Sequence, residues 1–250
     1  MKQPLYTIIG IGIFLFAWQM TSSLGIVDHF FLPSPLQTFS TLAKILVSGE
    51  IAADILSTIY KLLVSFIIAL IIGIPLGLLI GSSKSIYNCI EFLIDFFRSI
   101  PATALFPLFL LFFGVNDESK IAVAAFTSTI IIMFNVAHGM KHVNISRVIA
   151  ARLLGARGLK IFTTVYFWEC LPSIFIGIRT AASLSLVVII VTEMFVGSSA
   201  GIGQRIIDYQ YIYNIPAMYA MIILAGIIGY LVNYIFIVAE KRTIHWSGYS

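Results

Sequence analysis

Six apolar runs of about twenty residues, each nearly free of charge, recur along this chain. A helix needs roughly 20 such residues to cross the ~30 Å hydrocarbon core of a bilayer. The runs fall at about 5–24, 58–80, 92–113, 121–140, 171–192 and 217–238. They are continuous, unlike the ~10-residue alternating segments of a membrane β-barrel. Of the 250 residues, 60% are hydrophobic and 10% charged, and mean hydropathy is +1.02. A soluble domain of this length lacks the interior to hide so much apolar surface, because much of a small domain is surface. The sequence therefore predicts an all-α membrane protein, with residues 1–250 forming a single transmembrane domain of six helices.

The formal charge is +4, but the 15 lysines and arginines are spread thinly. No basic stripe of the kind that tracks nucleic acid occurs. In a membrane protein a modest basic excess reports loop orientation. With the N-terminus inside, Lys2, Lys84, Lys141, Arg147, Arg152, Arg157, Lys160, Lys241 and Arg242 fall on the inner side. Lys44, Lys61, Lys120 and Arg205 fall outside, with Lys61 at a span boundary, while Arg98 and Arg179 lie within spans. Nine against four predicts cytoplasmic N- and C-termini. Cys89 and Cys170 lack metal-ligand spacing and the four histidines are scattered, so no metal site is expected.

The first run exceeds the ~7–15-residue apolar core of a signal peptide, and its flank Trp18-Gln19-Met20-Thr21 has no small-x-small cleavage pattern. It reads as a retained helix. After the turn around His29–Pro35, Ser34 offers an N-cap and Pro35 a first helical position. Leu36, Phe39, Leu42, Ala43 and Leu46 then repeat at helical spacing, on a helix of about 14 residues that is too short to span. Such a helix is expected along the membrane surface. Gly73, Gly77 and Gly81 form a small-xxx-small series suited to close helix packing, with Pro75 between them permitting a bend.

Charges inside spans are costly and usually face a protein interior or a cavity. Asp95 and Arg98 stand three apart, the spacing of an ion pair on one helix face. Arg179 has no such neighbour and calls for a partner across the bundle, and Glu193 at the outer end of the fifth span either seals a gate or is solvated. Ser99 and Thr103 form an i,i+4 pair around Pro101, which frees a backbone acceptor. Arg98, Ser99, Thr103 and Glu193 are therefore candidates for a translocation path, with Arg98 suited to a small anion.

Most connections are short, but 141–170 is a basic, partly amphipathic segment. Ser146 offers an N-cap, Ile149–Leu153 and Ala150–Leu154 are i,i+4 pairs, and Gly155 ends the helix with a backbone free to adopt positive φ. Catalytic chemistry finds less support. Gly197-Ser198-Ser199-Ala200-Gly201 matches a hydrolase nucleophile elbow by pattern, but an apolar helix rather than a strand precedes it, and the next histidine is His245. An intramembrane lipid transferase or protease is the alternative class, yet Asp95, Arg98, Arg179 and Glu193 are dispersed. No phosphate-binding Gly-x-x-x-x-Gly-Lys-Ser/Thr loop occurs, so no catalytic residues and no cofactor are expected in this chain.

The stretch Ala150-Ala151-Arg152-Leu153-Leu154-Gly155-Ala156 resembles the EAA loop of inner-membrane permeases of binding-protein-dependent ABC transporters. Phe31-Leu32-Pro33-Ser34-Pro35, Arg98-Ser99-Ile100-Pro101, Phe113-Gly114-Val115, Gly177-Ile178-Arg179 and Glu193–Gly197 are similar to segments of the sulfonate/nitrate/taurine-type branch, in the same order. The resemblance implies a type I ABC importer permease fold, with the surface helix and a cytoplasmic coupling helix formed by Ile149, Ala150, Ala151, Arg152, Leu153, Leu154 and Gly155. It also implies two separate cytoplasmic ATPase subunits that supply ATP and Mg chemistry, and a second permease copy. A periplasmic or lipoprotein substrate-binding protein and a place in the bacterial inner membrane belong to the same expectation. Its solutes are sulfonates, taurine, nitrate, bicarbonate and pyrimidine precursors. Two positions depart from the family loop: Ile149 replaces a glutamate, and Phe167-Trp168 replaces a Leu-Pro pair.

Overall fold

The computed structural model describes residues 3–195 and 200–244, and its regular elements are all helices. In order they are α1 (Gln3–Ser23), α2 (Pro35–Ser48), α3 (Ala52–Gly81), α4 (Lys84–Ser99), α5 (Ala102–Phe113) and α6 (Asp117–Lys141). There follow α7 (Ile145–Leu153), α8 (Leu159–Ile161), a π-helical turn (Phe162–Tyr166), α9 (Phe167–Phe195), α10 (Ile202–Tyr211) and α11 (Ile215–Thr243).

The core is a three-helix layer, α3–α6–α9, held together by glycine. A Cβ on Gly77 would stand 2.6 Å from the Val136 Cβ, and Gly73 and Gly81 meet Ile132 and Met140 one turn to either side. The predicted small-xxx-small series thus brings two backbones into contact, gaining dispersion that side chains would prevent. α9 closes on the adjoining face of α6, where Gly177 admits Asn135 and Gly139 admits Ser173. Ser65 and Ser185 share a hydrogen bond of 2.9 Å across α3 and α9, and the Ser128 hydroxyl donates to the Ala181 carbonyl at 3.3 Å. Arg179 finds the cross-bundle partner its sequence position calls for, Glu240 on α11 at 3.5 Å.

Five helices are long and apolar enough to cross a membrane among the described residues. The sixth expected span, 92–113, is instead a broken pair: α4 and α5 meet at 94°. Pro101 explains the break, because its ring disfavours helical geometry at the residue before it. Ile100 is accordingly extended, at φ −80° and ψ 123°, and Pro101 stands at the N-cap of α5. Pro75 and Pro172 sit inside unbroken helices, so a proline alone does not decide the outcome.

The surface helix α2 starts as expected, with Ser34 Oγ accepting from the Gln37 N–H at 3.2 Å, and Gly49 at φ +73° closes it. Its seating differs from the expected one. Thr38, Leu42 and Ile45 are buried, the latter two against α10 and α11, whereas Leu36, Phe39 and Leu46 of the expected stripe face outward. The helix is apolar on more than one side, so the bundle covers one face and leaves the other open. α1 stands largely exposed and is tied down at its end, where Trp18 Nε1 and Ser22 Oγ donate to the carbonyls of Pro33 and Leu32.

Candidate functional site

The break between α4 and α5 opens a cavity of about 490 Å³ against α6 and α9. Its polar lining is Arg98, Thr127, Asn135 and Thr180, within otherwise apolar walls. Arg98 lies in the last turn of α4 with its guanidinium 3.8 Å from the centre of the Phe134 ring. The predicted pair with Asp95 forms at 3.3 Å, with both side chains substantially exposed, at 40% and 59%. Such a pair is worth at most about 1 kcal/mol, and a guanidinium carries five N–H donors, so donors remain for a ligand. The Asn135 side-chain N–H₂ uses one hydrogen on the Ile131 carbonyl, leaving its other N–H and its carbonyl oxygen.

Ser99 and Thr103 are arranged differently from the expected i,i+4 pair. The helix break falls between them, Ser99 Oγ donates to the Asp95 carbonyl at 2.8 Å, and Thr103 is exposed on α5. Neither lines the cavity, whose polar groups besides Arg98 come from α6 and α9. Asn135 and Thr180 were readable as polar interruptions of apolar runs, but their convergence with Arg98 depends on tertiary packing.

Glu193 is neither solvated nor near Arg98's cavity. It is wholly buried at the other end of α9's core, where Oε1 accepts from Lys61 Nζ at 2.8 Å. Thr58 Oγ1 donates to the same carboxylate at 3.0 Å, and the Gly203 N–H donates to Oε2 at 3.0 Å. Thr58 in turn accepts from the Ile202 N–H at 2.9 Å. Asp54 accepts from the Gly201 N–H at 2.9 Å and from Arg205 Nε at 2.6 Å. That hydrogen bond holds the Arg205 guanidinium above its ordinary pKa. Carboxylates of α3 and α9 therefore satisfy the open N–H groups at the start of α10, the partners a helix N-terminus favours. Gly201 leaves room for this, since a Cβ there would run into the Glu193 carboxylate.

Three cations counted as outer-loop charges are thus paired within the fold. Lys61 is buried against Glu193, Lys120 lies 3.1 Å from Asp117, and Arg205 is held by Asp54. Gly197, Ser198 and Ser199 of the elbow-like motif lie outside the described residues, while Ala200 accepts from Lys61 and Gly201 joins the network.

At the Gly81 end of the bundle, α7 is a short helix on a small platform. Its cap is Asn144, whose Oδ1 accepts from the Ser146 N–H at 2.9 Å, rather than Ser146 itself. Asn144 has the extended backbone a cap requires, and Ser146 is already inside the helix. Val148 packs with Ala156 and Ile161, and Ala151 lies half-buried against them. Ala151 therefore faces the platform, whereas Ala150 is exposed. Gly155 has φ +85°, the turn expected of it, with open space around it. Arg147 pairs with Glu169 and fixes α7 to α9. The outward face carries Ile149, Leu153 and Leu154, exposed by 50%, 84% and 88%.

Five apolar spans and a broken sixth, with a polar cavity at the break, define a helical membrane protein of several spans. Residues 73–244 match the family of binding-protein-dependent transport system inner membrane components, and the chain belongs to that family. It is 27% identical over 229 residues to a Bacillus subtilis (strain 168) protein provisionally named as an aliphatic sulfonates transport permease, covering 92% of this chain and 83% of the relative. Identity to the taurine transport system permease protein of Escherichia coli (strain K12) is 22% over 252 residues, covering 99% and 91%. An inward-facing structure of the MetNI methionine ABC transporter shares the fold, with a TM-score of 0.68 at 20% identity over 77% of this chain and 95% of that one. The protein is the transmembrane permease of an ABC importer, and family membership favours transport over an intramembrane enzyme.

Proposed function

We propose that this permease imports a small solute carrying one oxyanionic group, of the sulfonate, taurine or nitrate type, powered by a separate ATPase that seats on α7. The observation that carries the coupling is the outward face of α7, where Ile149, Leu153 and Leu154 stand exposed on a helix anchored from behind. Large apolar side chains outside the membrane-spanning helices call for a partner surface. The chain has no phosphate-binding loop of its own, so ATP and Mg belong to that partner. ATP binding shifts the permease between inward- and outward-facing states by contacting them differently.

The solute path runs past Arg98, with Asn135 and Thr180 beside it. A single guanidinium on an otherwise apolar wall favours one negative charge, and the names of the relatives supply the matching chemistry. Two copies complete the path, since closed twofold assembly is the commonest oligomer. α7 and both termini face the cytoplasm, and a substrate-binding protein delivers solute at the Lys61 end.

Reconstitution into proteoliposomes with the cognate ATPase and binding protein tests this directly. Labelled taurine, an alkanesulfonate and nitrate are offered in turn, with ATP inside or absent. ATP-dependent uptake of at least one anion is expected, as is access to a Gly155→Cys thiol from the ATPase side alone. Absence of ATP-dependent uptake of all three, or labelling of that thiol from the opposite side, contradicts the proposal.

A further inference from the structure

A second and larger concavity, of about 1010 Å³, lies between α3, α4 and α6. Phe97 and Phe126 form part of its wall and part of the Arg98 cavity's wall. The groove follows one face of α3, from Tyr60 through Ile68 to Leu76. Sixteen residues at 1.5 Å each make it roughly 24 Å long, which exceeds half of a ~30 Å hydrocarbon core. Small residues of α6, Ala122 and Ala125, keep the channel open beneath α4.

The groove is apolar along its length, and its acidic residues, Asp117 and Glu118, belong to the first turn of α6. Asp117 lies 3.4 Å from Lys61, whose depth marks the end of the bundle where α10 is anchored. It also faces Lys120 at 3.1 Å, whereas Glu118 is exposed at the mouth. Tyr60, 59% exposed, puts a phenol at the same end.

A long apolar slot with an acidic mouth has the shape and charge of a phospholipid site. The mouth selects the headgroup. A carboxylate attracts a primary ammonium and accepts its N–H groups, while a phenolic O–H donates to the adjoining phosphate. A choline headgroup offers no N–H, and a glycerol headgroup leaves the lipid anionic and repelled.

We infer that this groove binds one phospholipid with a primary-ammonium headgroup, phosphatidylethanolamine, its acyl chain along α3 and its headgroup at Glu118. The site is separate from α7 and from the polar lining beside Arg98, so it holds whichever solute is carried.

Native mass spectrometry of the purified, delipidated full-length permease tests the inference. The protein is titrated with phosphatidylethanolamine, phosphatidylcholine and phosphatidylglycerol at equal concentrations. One phosphatidylethanolamine is retained up to about fivefold more tightly than either competitor, the scale of one exposed ion pair. Glu118→Gln lowers its retention to that of phosphatidylcholine, and Glu118→Lys shifts preference to phosphatidylglycerol. Ala122→Trp, on the groove wall, reduces retention of all three. Equal retention of the three lipids by the unaltered protein, or indifference to both Glu118 variants, overturns the inference. So does a disulfide between Ile9→Cys of one copy and Ile68→Cys of another in a Cys89→Ser background, because a second copy's α1 then fills the groove.

Discussion

Lys61 Nζ lies 2.8 Å from Glu193 Oε1, and neither side chain has any solvent exposure. The pair joins the early turns of α3 to the last turn of α9 across 132 positions of sequence. Ser57, Thr58, Ala200 and Gly203 supply the remaining hydrogen bonds of the two charges. A buried charge is tolerated when its partner and its hydrogen bonds are all present, and removing one partner strands the other. This cluster therefore fixes the connection into α10.

Lys61→Met leaves Glu193 buried and unneutralised, at an expected cost of about 3–5 kcal/mol. Glu193→Leu alone leaves Lys61 with the half-exposed Asp117, at 3.4 Å, as its ionic partner, so it costs less. The double variant removes both charges and destabilises by less than the sum of the two single changes. Thermal midpoints of the purified permease in detergent measure this, and strict additivity contradicts a coupled pair.

Gly77→Val places a branched side chain where a Cβ already lies 2.6 Å from Val136, so α3 and α6 must separate. Overpacking of this kind costs roughly 1–3 kcal/mol, and the thermal midpoint falls accordingly. Gly12→Ala is the contrast, since nothing lies within 4 Å of that position on α1, and its midpoint stays level or rises.

Arg98→Gln keeps a hydrogen-bonding side chain but removes the charge from the cavity. The partly exposed pair with Asp95 contributes little, so stability changes by less than about 1 kcal/mol. Anion uptake falls at least tenfold while basal ATP hydrolysis by the assembled transporter persists. Unchanged uptake reduces Arg98 to a structural partner of Asp95 and Phe134.

Patterns that depend on near neighbours were legible in the sequence. The glycine series at 73, 77 and 81, the Ser34 cap and the turn at Gly155 each follow from spacing or backbone geometry, and each appears in the fold. The break at Pro101 was not, because Pro75 and Pro172 give the same local signal inside intact helices. The pairing of Lys61 with Glu193 was not legible either, since a partner 132 positions away leaves no periodic trace. Ser146 was placed on the right helix but not as its cap, and which face of α7 meets the platform depends on Val148, Ala156 and Ile161 packing together. Arg98 was legible as a charge in an apolar run, whereas Asn135 and Thr180 join it only through the packing of α4, α6 and α9.

Gly155→Val probes the shape of the coupling loop. A β-branched residue at φ +85° costs about 1–3 kcal/mol in backbone strain, although the space around it is open. The variant inserts in the membrane, but its substrate-stimulated ATP hydrolysis and uptake are lost. Ala151→Glu is expected to act through the platform that Ala151 packs on, weakening α7 itself as well as docking.

The proposed coupling role of α7 is tested most directly at its exposed face, where a change is expected to alter docking without touching the fold. Leu153 and Leu154 are 84% and 88% exposed, so replacing both with aspartate leaves the permease stable and inserted. The measurement is co-purification of the cognate ATPase together with ATP-driven anion uptake in proteoliposomes. The expected result is that Leu153→Asp/Leu154→Asp loses both, while its stability stays within about 0.5 kcal/mol of the unaltered protein. Normal co-purification and normal uptake by that double variant would show that the ATPase drives this permease through some other surface.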